Sequence, residues 1–475
     1  MNVRGPLCVV LLVSGLAAGA VFVPDGKLRP DDYTVLMAAD AKLPAGLAPI
    51  QSGAHGKFFV AGWRRPEQFF TWQVEAPADD AYAVNVLLKS HAARPLELKV
   101  RSGAAAVTGT SPADVRVWTR QALEGTLPLS RGAQTLVLDA RSAGGTPEFE
   151  AEFLSIELVR PAVRERLAEA AVKSRADTKW LQDAGYGIMC HWTSQTMPRH
   201  GERKAYAQAV RDFDVSGFVA QIRDTGAGFL VLATSHAEMY FPAPIAALER
   251  ALPGRTAARD LVAELADALG ARGIRLILYY HIGAIDDPAW LEASGFWKTD
   301  TSRIFGTWEA VIGEVGERYG AKLAGYWFDD GTINYYYRSA PWERLTRTAR
   351  KGNPNRLVAY NPWELPSCTA FQDYFTGEGY GDPAMPGLPL GPDGRFTGGS
   401  HAGLQACATL VTEGDWVHGG KETEVGAPRY DAAALARLCA AYRARKIVPI
   451  FNLEIYQEGA VSARTVAVFR EARAR

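Results

Sequence analysis

Two acidic residues stand out for what precedes them. Asp329 closes the run Tyr326-Trp327-Phe328-Asp329, and Glu378 closes Phe375-Thr376-Gly377-Glu378. Two carboxylates facing each other across a glycosidic bond can hydrolyse it. At about 5 to 5.5 Å one attacks the anomeric carbon while the other protonates the leaving oxygen and then activates water; a wider gap inverts instead. Around this pair the sequence sets His191, Trp192, His236, Glu238, Tyr280, Trp327, Asn361 and Trp416, each at or just beyond the end of an apolar run. Aromatic rings offer apolar surface to sugar faces, and His or Asn side chains fix hydroxyls. Singly, each has a plainer use: a lone His is commonly a structural hydrogen-bonder, and an Asp after a strand commonly caps a helix. Together they describe a sugar site, with Asp329 and Glu378 as the catalytic pair. Glu238 and Asp330 are the alternatives to Glu378. No HExxH and no Cys/His pair at ligand spacing occurs, so neither metal nor cofactor is expected.

These residues need a scaffold that brings strand ends together. Apolar runs at 186–192, 229–234, 275–280, 324–328, 357–360, 374–376, 408–411 and 448–451 alternate with amphipathic segments at 215–225, 258–272, 308–319, 341–349, 432–445 and 463–474. Such repeats predict a (β/α)8 TIM barrel over 180–475, whose active site lies at the C-terminal strand ends. Between 360 and 374 there is hardly room for a crossover helix, so that side is expected to be irregular. Upstream, short alternating runs at 69–74, 82–88, 96–100, 134–138 and 149–158 predict an all-β, jelly-roll-like sandwich over 25–160, a candidate carbohydrate-binding module. Residues 161–179 read as a linker helix.

Composition narrows the partners. The 475 residues carry 52 Lys+Arg and 52 Asp+Glu, a formal charge of zero, which gives no support to nucleic-acid binding. With 48% hydrophobic and 22% charged residues the chain reads as soluble and globular, and 12 Trp with 18 Tyr suit either sugar stacking or core packing. Arg4, the apolar run 7–16 and Ala18-Gly19-Ala20 form a signal-peptide pattern over 1–20, predicting a secreted or periplasmic protein with no stable membrane insertion after cleavage. Cys190, Cys368, Cys407 and Cys439 are too widely spaced for a compact metal site, leaving a disulfide or buried thiols.

The motifs resemble those of the α-L-fucosidases of glycoside hydrolase family 29. Gly187-Ile188-Met189-Cys190-His191-Trp192 resembles the family's first strand, ending in His-Trp. Tyr326-Trp327-Phe328-Asp329 resembles its Trp-Phe-Asp-Gly strand; 229–236 and 276–280 resemble its second and third strands, and Ile450-Phe451-Asn452-Leu453 its last. The resemblance spans about 280 residues from Trp180. It implies a retaining exo-glycosidase acting on a glycan or glycoconjugate through a covalent glycosyl-enzyme intermediate, with Asp329 as nucleophile, Trp327 in the pocket and His191 binding a sugar hydroxyl. Three departures stand beside it. Ser235-His236-Ala237-Glu238 keeps one of the family's paired histidines, Asp330 stands where the family has Gly, and the sandwich precedes the barrel. His191 and His236 are therefore expected to donate to sugar hydroxyls with weaker discrimination for L-fucose, His200 or His281 being alternatives for the lost donor. A barrel hydrolase of another glycan specificity, or a non-catalytic carbohydrate-binding protein, remains open beside the fucosidase reading.

Overall fold

Eight short strands form one parallel sheet: β1 (Gly187–Cys190), β2 (Phe229–Ala233), β3 (Arg275–Tyr280), β4 (Leu323–Phe328), β5 (Leu357–Tyr360), β6 (Tyr374–Phe375), β7 (Gln405–Val411) and β8 (Val448–Asn452). The computed structural model describes residues 22–52, 56–144, 149–284, 286–363, 365–385 and 388–475; the expected signal segment, 1–20, lies outside them. Pairing runs β5-β4-β3-β2-β1-β8-β7-β6, so the ladder is continuous except between β5 and β6. That seam is where the sequence is too short for a helix, and side chains supplement the backbone bond from Asp373 N to Val358 O at 2.9 Å. Asp373 Oδ2 accepts from Val358 N at 2.7 Å, and Gln372 Oε1 accepts from Tyr360 N at 3.0 Å. Arg350 holds Asp373 through both carboxylate oxygens at 2.8 Å.

Strand alternation divides the barrel residues cleanly. Met189, Val231, Ile277, Tyr279, Trp327, Ala359, Tyr374, Cys407 and Ile450 share the inner core. Alternate residues face the helices: Phe328 packs on Trp308, Tyr326 and Tyr360 at 4.9–5.3 Å between ring centres. Burial on both faces is why these strands read as continuous apolar runs. Aspartates start several of the covering helices. Asp214, Asp260 and Asp431 each accept a backbone N–H three residues on, satisfying a donor that the helix leaves free. The residues expected as a linker form a helix at Pro161–Ser174 and another at Lys179–Asp183. Among the described residues Cys190, Cys368, Cys407 and Cys439 are free thiols, and no helix is long and apolar enough to cross a membrane.

The other unit runs to Arg160, apart from Val117–Arg120, and takes in Trp297–Thr299. It is a sandwich of antiparallel strands, one sheet built around Gly56–Trp63, Ala151–Val159 and Asp80–Ser90, the other around Phe70–Ala76, Gly132–Ser142 and Leu96–Ser102. Phe70, Trp72, Val74 and Ala76 alternate inward, and Trp63, Phe70, Phe149 and Phe153 pack ring against ring within its core.

Candidate active site

Asp329 follows β4 in register with Trp327, so it faces the barrel axis; it is 9% exposed. Three donors hold its carboxylate. Tyr279 Oη reaches Oδ2 at 2.5 Å, while Asn361 Nδ2 at 2.8 Å and Asp330 N at 2.7 Å reach Oδ1. Burial and then the adjacent Asp330 raise the Asp329 pKa above the usual carboxylate value, against the pull of these hydrogen bonds. Tyr279 is pushed far up by burial and by Asp329, so it stays a donor. Its ring stacks on Trp327 at 5.1 Å.

Asn361, at the end of β5, joins the two carboxylates. Its Nδ2 donates to Asp329 at 2.8 Å and to Glu378 Oε2 at 2.5 Å. These two oxygens therefore lie no farther apart than the two hydrogen bonds laid end to end, which is within the spacing that retention needs. The amide is oriented by its other end: Oδ1 accepts from Trp363 N and Thr376 Oγ1, at 3.3 and 2.6 Å. Glu378 is also fixed through its backbone, which bridges to Thr409 of β7. Gly377 before it has φ +70°, and a Cβ there would lie 1.8 Å from Cys407 O, so only glycine allows the chain to turn this close to β7.

Asp330 occupies the position where a Trp-Phe-Asp-Gly motif has glycine, and its φ of +54° is the left-handed conformation that glycine adopts freely. Its Oδ2 meets His281 Nε2 at 2.6 Å and Asn334 Nδ2 at 3.1 Å. His281 Nδ1 accepts from Ala284 N at 3.0 Å, so the ring proton sits on Nε2 and points at Asp330. Among the described residues His281, Asp329 and Asp330 form the one cluster with the makings of a metal site, their ligating atoms all within 4.8 Å of one another. The donors on Asp329 and the His281 proton on Asp330 already face those carboxylates, which is the environment of a hydrogen-bonded anion rather than of a cation's ligands.

Across the barrel axis His191 is 3% exposed, its ring 4.8 Å from that of Tyr279 and 5.5 Å from those of His236 and Trp416. Its Nδ1 lies 2.8 Å from Asn452 Oδ1. Burial lowers its pKa to about 4, leaving it neutral at pH 7. His236 also stands 5.6 Å from His281, so the two strand-end rings and His191 line one wall.

The structure therefore brings together Asp329, Glu378, Asn361, Trp327, His191, His236 and Trp416. It sends two of the expected residues elsewhere. Tyr280 points to the helical layer, where its ring meets Phe328, and Tyr279 takes the expected place; the one-residue slip reverses the face of the strand. Trp192 likewise turns outward, 5.0 Å from Phe213, with Nε1 donating to Gln457 O. Glu238 accepts from Ser194 Oγ at 2.5 Å, and its charge helps raise the pKa of Asp286 after burial has done so. His200 is largely exposed against Glu422. Tyr279, Thr376 and Asn452 are the site residues that the sequence reading missed as such; sharing the inner face with Ile277, Tyr374 and Ile450 was the signal that pointed to them.

A family model for alpha-L-fucosidase matches residues 206–386, a stretch holding Asp329, Asn361 and Glu378. The match bears out the resemblance drawn from the motifs and the reading of the chain as a glycoside hydrolase. Among curated proteins none matches. Similar solved structures include an α-L-fucosidase of Lactobacillus casei in complex with α-L-fucose product, at 18% identity and TM-score 0.46 over 62% of this chain and 97% of that one. Another is α-L-fucosidase isoenzyme 1 of Paenibacillus thiaminolyticus, at 16% identity and TM-score 0.44 over 64% and 75%. A third is an endo-fucoidan hydrolase of glycoside hydrolase family 107, at 15% identity and TM-score 0.46 over 62% and 53%.

Proposed function

We propose that the barrel is a retaining exo-glycosidase of the α-L-fucosidase type, with Asp329 as nucleophile and Glu378 as acid/base. The observation that carries this reading is the single Asn361 nitrogen donating to both carboxylates. Asp329 attacks the anomeric carbon as the glycosidic C–O bond breaks, and the proton of Glu378 passes to the leaving oxygen. Glu378, now a carboxylate, takes a proton from water, whose oxygen attacks the same carbon and releases Asp329. Tyr279, Asn361 and the Asp330 N–H orient Asp329 throughout, so little reorganisation is needed as its charge is spent and regained.

A neutral sugar fits the surroundings. The carboxylates beside the pair, with His281 already engaged by Asp330, disfavour an anionic sugar, while Trp327, Tyr279, Trp416 and the uncharged His191 supply rings and neutral hydrogen-bonding groups. The experiment is a panel of 4-nitrophenyl glycosides offered to the full chain. Turnover highest on the α-L-fucoside is the expected result. Turnover confined to another glycoside would move the specificity, and turnover of none would leave a carbohydrate-binding protein.

A further inference from the structure

His191 is the wall residue whose hydrogen-bonding sense is fixed by the protein before any ligand arrives. Asn452, the last residue of β8, donates from Nδ2 to two backbone carbonyls, Asp415 O at 3.2 Å and Trp416 O at 3.1 Å. Carbonyls only accept, so that end of the amide is the NH2 and the end facing His191 is the oxygen. An oxygen 2.8 Å from His191 Nδ1 requires the proton to be on Nδ1. In a neutral imidazole the other nitrogen, Nε2, is then a bare lone pair. We infer that His191 recognises its ligand as a hydrogen-bond acceptor, and that Asn452 is the positioning residue that makes it one. The sequence reading had His191 as a donor, and the geometry reverses it.

The arrangement is anchored from a further shell of β8. Glu454, two residues on and 7% exposed, accepts from both Gly414 N and Asp415 N at 3.0 Å through Oε1, and its Oε2 faces His418 Nδ1 at 3.2 Å. This holds the loop after β7 so that its carbonyls meet the Asn452 amide. The titratable groups around the His191 ring are His236, His281, Tyr279 and Asp415; burial first, and His281 with it, keep the ring neutral against the Asn452 hydrogen bond and the charge of Asp415. A hydroxyl that donates to Nε2 is what the site selects; a substituent that only accepts is refused there.

The inference rests on the proposed function only in taking the ligand to be a sugar, and its test reads the protein itself. In the full chain labelled with 15N-histidine, long-range proton–nitrogen correlation at pH 7 should show His191 protonated at Nδ1 and bare at Nε2. Asn452→Leu removes the acceptor and should mix the two tautomers, raising KM for the α-L-fucoside roughly three- to tenfold, the worth of one neutral hydrogen bond, with kcat changed less. Asn452→Asp keeps an oxygen toward Nδ1 and adds a negative charge while losing the donor to the two carbonyls, so in the folded variant, checked by its circular dichroism, the pH at which Nε2 takes a proton should rise and KM with it. A proton on Nε2 of wild-type His191 at pH 7 would overturn the acceptor role. Unchanged His191 nitrogen signals in both variants would overturn the role of Asn452. If no fucoside is turned over, the proposed function fails while the nitrogen signals still decide this inference.

Discussion

Two asparagines at strand ends, Asn361 after β5 and Asn452 closing β8, use opposite ends of the same amide. At Asn361 the oxygen is engaged by Trp363 N and Thr376, which turns the NH2 toward Asp329 and Glu378. At Asn452 the NH2 is engaged by two carbonyls, which turns the oxygen toward His191. One half of the pocket thereby becomes a cradle of donors around anions, and the other becomes neutral. An amide reads as the same residue type in both places; what differs is the backbone that it leans on. The pocket's division into a charge-handling side and a sugar-reading side follows from that difference.

The donor side carries the larger effects. Asp329→Ala should cost on the order of a thousandfold or more in kcat, with azide restoring turnover by occupying the vacated face. If Asp330→Ala abolishes turnover while Asp329→Ala spares it, the neighbour is the nucleophile. Asn361→Leu removes the donor shared by both carboxylates and should lower kcat roughly a hundredfold, within the range for a lost anion-stabilising donor, with KM nearly unchanged. A rise in KM alone would make Asn361 a binding residue and dissolve the comparison.

The neutral side has a buried acid of its own. Glu413, 2% exposed and bonded to Glu454 N, has its pKa raised by burial from 4.5 to about 7. A raised carboxyl pKa means that the stability this group contributes is fully present below pH 4.5 and is lost as pH rises through about 7. Glu413→Gln keeps the uncharged form at every pH, so at pH 8 it should exceed wild type by up to roughly 3 kcal/mol in denaturant unfolding. At pH 4 the two should match. Equal stabilities at both would show that Glu413 is ionised without cost. The smallest effect concerns Asp330. Because its charge helps to raise the pKa of Asp329, Asp330→Asn should lower that pKa and move the acid limb of kcat/KM to lower pH. A limb that stays in place would leave burial as the sole cause.

The barrel was legible because its strands are buried on both faces and read as apolar runs, while helices such as Val215–Thr225 carry a cap before and glycine after. The sandwich was read less fully. Pro49–Ser52, Gly56–Trp63 and Ala105–Ser111 escaped notice, the first short and opened by Pro, the others interrupted by Gly and Ala, residues depleted in strands. In the site, the catalytic candidates end apolar runs and were visible. Tyr280 and Trp192 were misplaced by one residue because alternation gives two faces without saying which is the inner one. The sense of His191 was beyond reach, since it depends on Asn452, 261 positions away, and on carbonyls that no side-chain pattern reports.

The central claim, that Asp329 attacks while Glu378 serves as acid and then base, has a stereochemical signature independent of which sugar is bound. Proton NMR of the wild-type reaction, followed before mutarotation, reads it directly. Two displacements at one carbon give a first-formed sugar with the anomeric configuration of the substrate. A first-formed sugar of the opposite configuration would mean a single displacement by water and would remove Asp329 from the nucleophile's role.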